Sequence, residues 1–359
     1  MFQRLILAIT MIFVANTFSL KAYSAQVYET GVGLTNVSQC SMMIEGIVQK
    51  GDAAKVEEII QAATRSNANF EDSNKAYKLD NDLQYVVCFS SAGGNYLEGI
   101  RLAKLFAKHF ITTSVPDRAT CLSACAIAFL GGHGYDRQNK KSVPNRYVFP
   151  GSKIGFHAPS LSVPEQNYTE VAVSKAYKIA MNAIFELRKH AEELSIPQRL
   201  LIDIISHRGD DFFMINTLDQ AELAFIRLTG YRQRKIQKDT FIAACWNSYK
   251  WYAIGPIVED EYFFGMVPVD DDDWKGIFNA RKGVGNRFLQ RGRVYEFQPF
   301  DGEMDCSIRA SRDQRKNYIY NVALSQNGGD PFKDPDPNLK GAFRSTILMR
   351  GSRTLESTR

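Results

Sequence analysis

The sequence predicts an α/β fold, a largely parallel sheet covered by helices, with a smaller β-rich region after it. Three observations lead there. Short apolar runs rich in β-branched residues, such as Tyr85–Phe89 and Ile111–Val115, read as buried strands. The stretch after Asn95 places Ile100, Ala103, Phe106, Ala107 and Phe110 on one helical stripe. Strand-like and helix-like segments then alternate to residue 230, which is the pattern of a parallel sheet with helices on its faces. The chain has 359 residues, 45% hydrophobic and 23% charged. That suits about two globular domains and excludes a mostly disordered chain, a collagen or a coiled-coil rod.

Residues 1–25 read as a secretory signal peptide. Arg4 precedes an apolar stretch from Leu5 to Leu20, and Ala22, Ser24 and Ala25 supply small residues at its exit. The stretch of about 16 residues is short of the roughly 20 a bilayer span needs. No later run qualifies as a span, so a periplasmic or secreted protein is expected. The formal net charge is +5, and two of those positive residues, Arg4 and Lys21, belong to the leader. So small and scattered an excess is no nucleic-acid footprint.

Residues 26–230 are expected to form the α/β domain. A strand or turn and then a polar helix occupy 36–64. A Ser91-Ala92-Gly93-Gly94 turn follows the Tyr85–Phe89 strand. Asn95 can cap the next helix, with Glu98 completing a capping box. Ala119–Leu130 is almost wholly apolar, reads as one helix buried all round, and stops at Gly131-Gly132. Residues 133–146 read as a loop. Tyr147–Phe149 and Lys153–His157 read as short strands, and a long amphipathic helix spans about 167–194. Another helix begins at Pro197. Phe212–Ile215 reads as a strand, and Thr217 with Gln220 forms a capping box for a helix ended by Gly230. Residues 231–335, with all three tryptophans, read as the β-rich domain, and 336–359 as a polar, Arg-bearing tail, mobile at its end.

Six cysteines in the mature part, Cys40, Cys88, Cys121, Cys125, Cys245 and Cys306, suit disulfides in an exported chain. Cys245–Cys306 is the natural pair of the C-terminal region, worth about 4 kcal/mol in the chain-entropy model. Cys121 and Cys125 are too far apart on one helix for an unstrained bridge, and pair only if Cys121 precedes the helix. Cys40–Cys88 is then the remaining pair. A zinc site from Cys121, Cys125 and His133 is a weak alternative, because no second ligand pair lies nearby. No cofactor or metal is expected.

Taken singly, Ser123, His157 and the Gly93-Gly94 turn have ordinary structural uses. Their order says more. The segment Cys88-Phe-Ser-Ser-Ala-Gly-Gly-Asn-Tyr-Leu-Glu-Gly, the segment Thr120-Cys-Leu-Ser-Ala-Cys-Ala and the segment Lys153-Ile-Gly-Phe-His-Ala-Pro resemble the Clp protease proteolytic subunit and its crotonase-fold relatives, above all the periplasmic ClpP-like proteins. The likeness covers about residues 83–230. It implies a ClpP/crotonase-like core, a peptide or protein substrate, and a homo-oligomer as in ring-forming relatives. By position, it implies Ser123 as nucleophile, His157 as general base, and the N–H groups of Gly93 and Ala124 as oxyanion donors. A segment resembling Met214–Glu222 places the acid just upstream, at Asp210 or alternatively Asp211. The chemistry is coherent: serine needs a base within reach, imidazole titrates near pH 6.5, and glycine lets backbone approach an oxyanion.

The expected function is therefore an exported serine hydrolase cleaving peptide bonds. The alternatives are an inactive peptide-binding module and acyl-CoA chemistry on the same fold. The latter uses carboxylates and a cofactor that an exported protein would lack. Lys153, sharing a strand face with His157, allows a Ser123–Lys153 dyad. Disulfide mapping by mass spectrometry of the non-reduced protein is expected to recover Cys245 linked to Cys306; free thiols at both positions would remove that bridge.

Overall fold

The computed structural model describes residues 25–33, 35, 37–66, 84–136, 141–160, 167–231, 240, 244 and 354–358, and the backbone of five strands between 289 and 343. The expected signal peptide up to residue 24 lies outside the described residues, as do Cys245 and the side chain of Cys306. Among the described residues no helix is long and apolar enough to cross a membrane.

The fold is mixed α/β with a sheet of mainly parallel strands. Gln26–Glu29 (β1), Met42–Glu45 (β2), Val86–Ser90 (β3), Thr112–Val115 (β4), Arg146–Val148 (β8) and Ile226–Leu228 (β11) lie side by side in that order, numbered along the chain. Only β1 runs antiparallel to its neighbour. Four residues of β3 are buried, because the strand is covered on both faces; that is why it reads as an unbroken apolar run. A second sheet holds Thr120–Leu122 (β5) parallel to Lys153–Phe156 (β9), with Phe213–Met214 (β10) antiparallel on the other side.

Helices fill the connections. Asp52–Ser66 (α1) joins β2 to β3, and Tyr96–Lys108 (α2) joins β3 to β4. Asn95 caps α2 as expected, its side chain accepting from the Glu98 N–H. The Glu98 carboxylate does not complete the box. It is 1% exposed and accepts from the N–H groups of Gly51 and Ala53 at 3.0 and 2.9 Å, capping α1 instead, while Arg101 pairs with its other oxygen. One buried carboxylate thus locks two helices together.

The single helix expected over Ala119–Leu130 is two elements. Residues 120–122 form β5, Ser123 makes a turn, and Ala124–Phe129 (α3) is the helix. Tertiary pairing overrides the apolar pattern: Cys121 is in register with Ile154, and the Leu122 N–H donates to the Ser91 carbonyl. Cys121 therefore precedes the helix, and the Cys121–Cys125 bridge forms, with Cα atoms 5.2 Å apart. Cys40–Cys88 is the second bridge, closing 48 residues. In the chain-entropy model they contribute about 2 and about 4 kcal/mol respectively. With both sulfurs bonded, Cys121 and Cys125 cannot supply thiolates to zinc.

Residues 133–146, expected as a loop, contain a hairpin of His133–Asp136 (β6) and Lys141–Pro144 (β7). β11 escapes the sequence because three residues carry too little pattern; it is recognised only by pairing with β8. The amphipathic helix is Glu170–Lys189 (α4), which buries Ala183 and Leu187 but exposes Val171, Val173, Tyr177 and Phe185. Gln198–Ser206 (α5) and Leu218–Leu223 (α6) follow. The Thr217–Gln220 capping box is formed as read. Arg146, fully buried, donates to the carbonyls of Ala224, at 2.8 Å, and of Leu194, joining β8 to the ends of two helical segments.

Further along, Leu289–Arg291 (β12), Val294–Phe300 (β13), Met304–Arg312 (β14), Tyr318–Gln326 (β15) and Lys340–Phe343 (β16) form an antiparallel sheet in chain order. The polar tail expected over 336–359, mobile at its end, needs correction at two places. β16 belongs to this sheet, and residues 354–358 pack on the α/β core. There the Leu355 N–H donates to the Asn216 carbonyl at 2.8 Å, and its side chain joins the core at 4% exposure.

Glu98→Ala strips two N–H groups of their acceptor at a buried position. It is expected to cost about 2–3 kcal/mol. Urea unfolding measures this, and a change below about 0.5 kcal/mol would show that water replaces the carboxylate.

Candidate active site

Ser123 stands at the junction of β5 and α3, at φ 54° and ψ −124°. Positive φ is unusual for a residue with a Cβ and costs of order 1–3 kcal/mol. A sharp strand-to-helix turn with a serine in such a conformation presents the hydroxyl away from both elements. The neighbours hold it there. The Ser123 N–H donates to the Gly155 carbonyl at 2.9 Å, and the Ser123 carbonyl accepts from the Ile127 N–H at 3.0 Å.

The strand pairing that fixes Ser123 also fixes His157. Leu122 is in register with Gly155, so Ser123 and His157 follow at the same ends of parallel β5 and β9. On the other side, Phe213 pairs with Phe156 in antiparallel register. That sets Phe212 against His157, with ring centroids 4.6 Å apart in an edge-on contact. The turn of Asp210 and Asp211 comes immediately before. A Cβ at Gly155 would lie 2.5 Å from Met214 Sδ and 2.8 Å from Leu122 Cδ2, so a larger residue there would have to displace the side chains of both neighbouring strands.

Gly93 approaches from the turn after β3. A Cβ there would lie 2.6 Å from Ser123 Cβ and 2.8 Å from the Leu122 carbonyl, and its φ is +108°. Both facts require glycine. Its N–H is aimed at Ser91 Oγ, 3.1 Å away. Ala124 opens α3, where first-turn N–H groups have no partner within the helix. The Gly93 backbone and Ala124 thus flank the Ser123 side chain.

Burial lowers the pKa of His157, while the Ala158 backbone and the charge of Asp210 act in the opposite direction. Its Nδ1 is buried without a hydrogen-bond partner. Among the described residues no hydrogen bond joins Ser123, His157 and Asp210; Asp210 acts on His157 through its charge, and strand register sets Ser123 and His157 at the same ends of β5 and β9. Ser123 is 9% exposed. Lys153 is exposed at the far end of β9. An open groove of about 590 Å³ lies elsewhere, lined by Lys50, Glu57, Arg101, Lys104 and Lys108. Among the described residues no cluster of three or more His, Cys, Asp or Glu side chains could hold a metal.

Sequence reasoning missed Ser91, Gly155 and Phe212. Ser91 had a signal in the turn it opens. Gly155 and Phe212 had none, since their roles come from register between strands far apart in sequence. Compared with known proteins, the chain matches no family model and no curated protein.

His157 is expected to titrate below its ordinary value of about 6.5, staying neutral and base-competent into mildly acid solution. Asp210→Asn removes a charge that favours the protonated ring, so the titration moves further down. NMR titration of the imidazole measures both; a shift with Asp211→Asn but not with Asp210→Asn would transfer the acid's place to Asp211.

Proposed function

We propose that this protein is an exported serine hydrolase of the ClpP-like kind, most plausibly a peptidase, with Ser123 as nucleophile and His157 as general base. The observation that carries the reading is the backbone of Ser123, at φ 54° and ψ −124° on a tight strand-to-helix turn, with the Gly93 backbone against its side chain. Phe110, Ser195 and Phe225 also have positive φ, but Ser123 combines it with a ψ of −124° on a strand-to-helix turn. The strain is retained where a hydroxyl is to be presented.

In this reading His157 takes the Ser123 proton as the hydroxyl oxygen attacks the carbonyl carbon of a peptide bond. The N–H groups of Gly93 and Ala124 stabilise the resulting oxyanion, and the imidazolium returns the proton to the leaving amine. Asp210 favours the imidazolium through its charge. The Gly93 N–H must turn from Ser91 Oγ to the substrate for the oxyanion hole to be complete. The two disulfides support an oxidising, extracytoplasmic setting. A peptide-binding module without catalysis is the second reading, favoured by the missing hydrogen bonds among Ser123, His157 and Asp210.

A fluorophosphonate probe is expected to label the mature wild-type protein at one site and to leave Ser123→Ala unlabelled, with both melting alike. Equal labelling of the two would remove Ser123 as the nucleophile. No labelling of either would favour the binding module.

A further inference from the structure

We propose that the Cys121–Cys125 bridge is a positioning device for the Ser123 turn, so that the reactivity of the serine depends on this bond more than the stability of the fold does. The inference rests on the hydrolase reading for its kinetic arm, but on the geometry alone for its structural arm.

Ser123 lies in the middle of the ring that this bridge closes. Cys121 belongs to β5 and Cys125 to the first turn of α3, so the bond joins the element before the turn to the element after it. The strand side is already secured by backbone hydrogen bonds, from Leu122 to Ser91 and from Ser123 to Gly155. The helix side is secured differently. α3 is only six residues long and wholly buried; it packs so closely on α2 that a Cβ at Gly99 would lie 2.4 Å from the Ala124 carbonyl. Beside the backbone itself, the bridge is a second covalent tie across a residue whose φ, ψ values an L-residue avoids. A strained conformation persists only when its surroundings over-determine it. The bond also fixes where α3 begins, and hence the direction of the Ala124 N–H.

The two bridges divide the labour. Cys40–Cys88 closes a long loop that does not contain Ser123, whereas Cys121–Cys125 closes a ring of five residues and has little chain entropy to remove. Both Cys121 and Cys125 are fully buried, so the bond is shielded from solvent thiols in the folded protein. Its part is constitutive alignment, set once on folding in an oxidising compartment.

The test compares the mature wild type with Cys121→Ala/Cys125→Ala and with Cys40→Ala/Cys88→Ala. Fluorophosphonate inactivation is resolved into its maximal rate and its half-saturating concentration, melting is followed in parallel, and amide exchange is read by mass spectrometry over 119–129 and 86–90. Loss of the Cys121–Cys125 bridge is expected to lower the maximal labelling rate at least tenfold with little change in half-saturation. Exchange is expected to rise across 119–129 but not across 86–90. Loss of the other bridge is expected to lower melting more and labelling less. Should the double alanine variant fail to fold, the Cys40→Ala/Cys88→Ala protein refolded in reductant, with its thiols mapped, keeps the sulfur volume and is compared with the same variant refolded oxidised. Unchanged exchange and labelling in a folded protein lacking the Cys121–Cys125 bond would overturn the proposal. Absence of labelling in oxidised wild type would sink the hydrolase reading alone, leaving the exchange result to decide what the bridge does.

Discussion

The hydrogen bond from the Ser123 N–H to the Gly155 carbonyl is the joint on which the site depends. It extends the parallel pairing of β5 and β9 by one residue, past the point where β5 ends. Without it the chain at Leu122 would be free to continue helical, as its composition suggests. With it the chain must turn sharply at Ser123, and the serine ends beside the strand that carries His157. Strand register is all-or-none in its effect on side-chain direction, since a slip by one residue sends every side chain to the opposite face. The relation of Ser123 to His157 is therefore set by backbone pairing, not by the two side chains.

The close packing around that joint explains the placement of uncommon residues in the core. Gly93 allows a backbone approach that a methyl group would block, and Gly99 does the same where α3 meets α2. A buried charge is costly unless it is paired or hydrogen-bonded, and two buried charges here have partners within the protein. Glu98 finds the N–H groups of Gly51 and Ala53 with Arg101; Arg146 finds two backbone carbonyls. His133, beside Arg146, is held neutral, its pKa lowered to about 3 by burial and by that neighbouring charge. These groups link elements that apolar contact alone would leave free to slide.

Much of the α/β region was legible because local signals were strong. The apolar run at Tyr85–Phe89, the Asn95 cap and the Thr217–Gln220 box each act within a few residues, and the structure contains all three. What the sequence could not give depends on partners distant along the chain. Cys121 is strand, not helix, because Ile154 and Ser91 lie alongside it. Glu98 caps α1 and not its own helix because Gly51 happens to be near. Ser123 and His157 were singled out by the company of their motifs, and the structure places both at the same ends of paired strands. The choice of Asp210 over Asp211 rested on a turn whose sequence holds both, and the structure gives Asp210 an electrostatic effect on His157 without a hydrogen bond.

Residues 354–358 give the molecule an unusual relation between its two ends of synthesis. Tyr231, where the α/β segment ends, packs against the core, and Leu355 is itself part of that core. Two positions more than a hundred residues apart in the sequence thus pack on one core. The core is consequently incomplete until residue 355, more than a hundred residues further along the chain, has arrived. Loss of residues 354–358 would open a gap in that core where the Leu355 side chain packs.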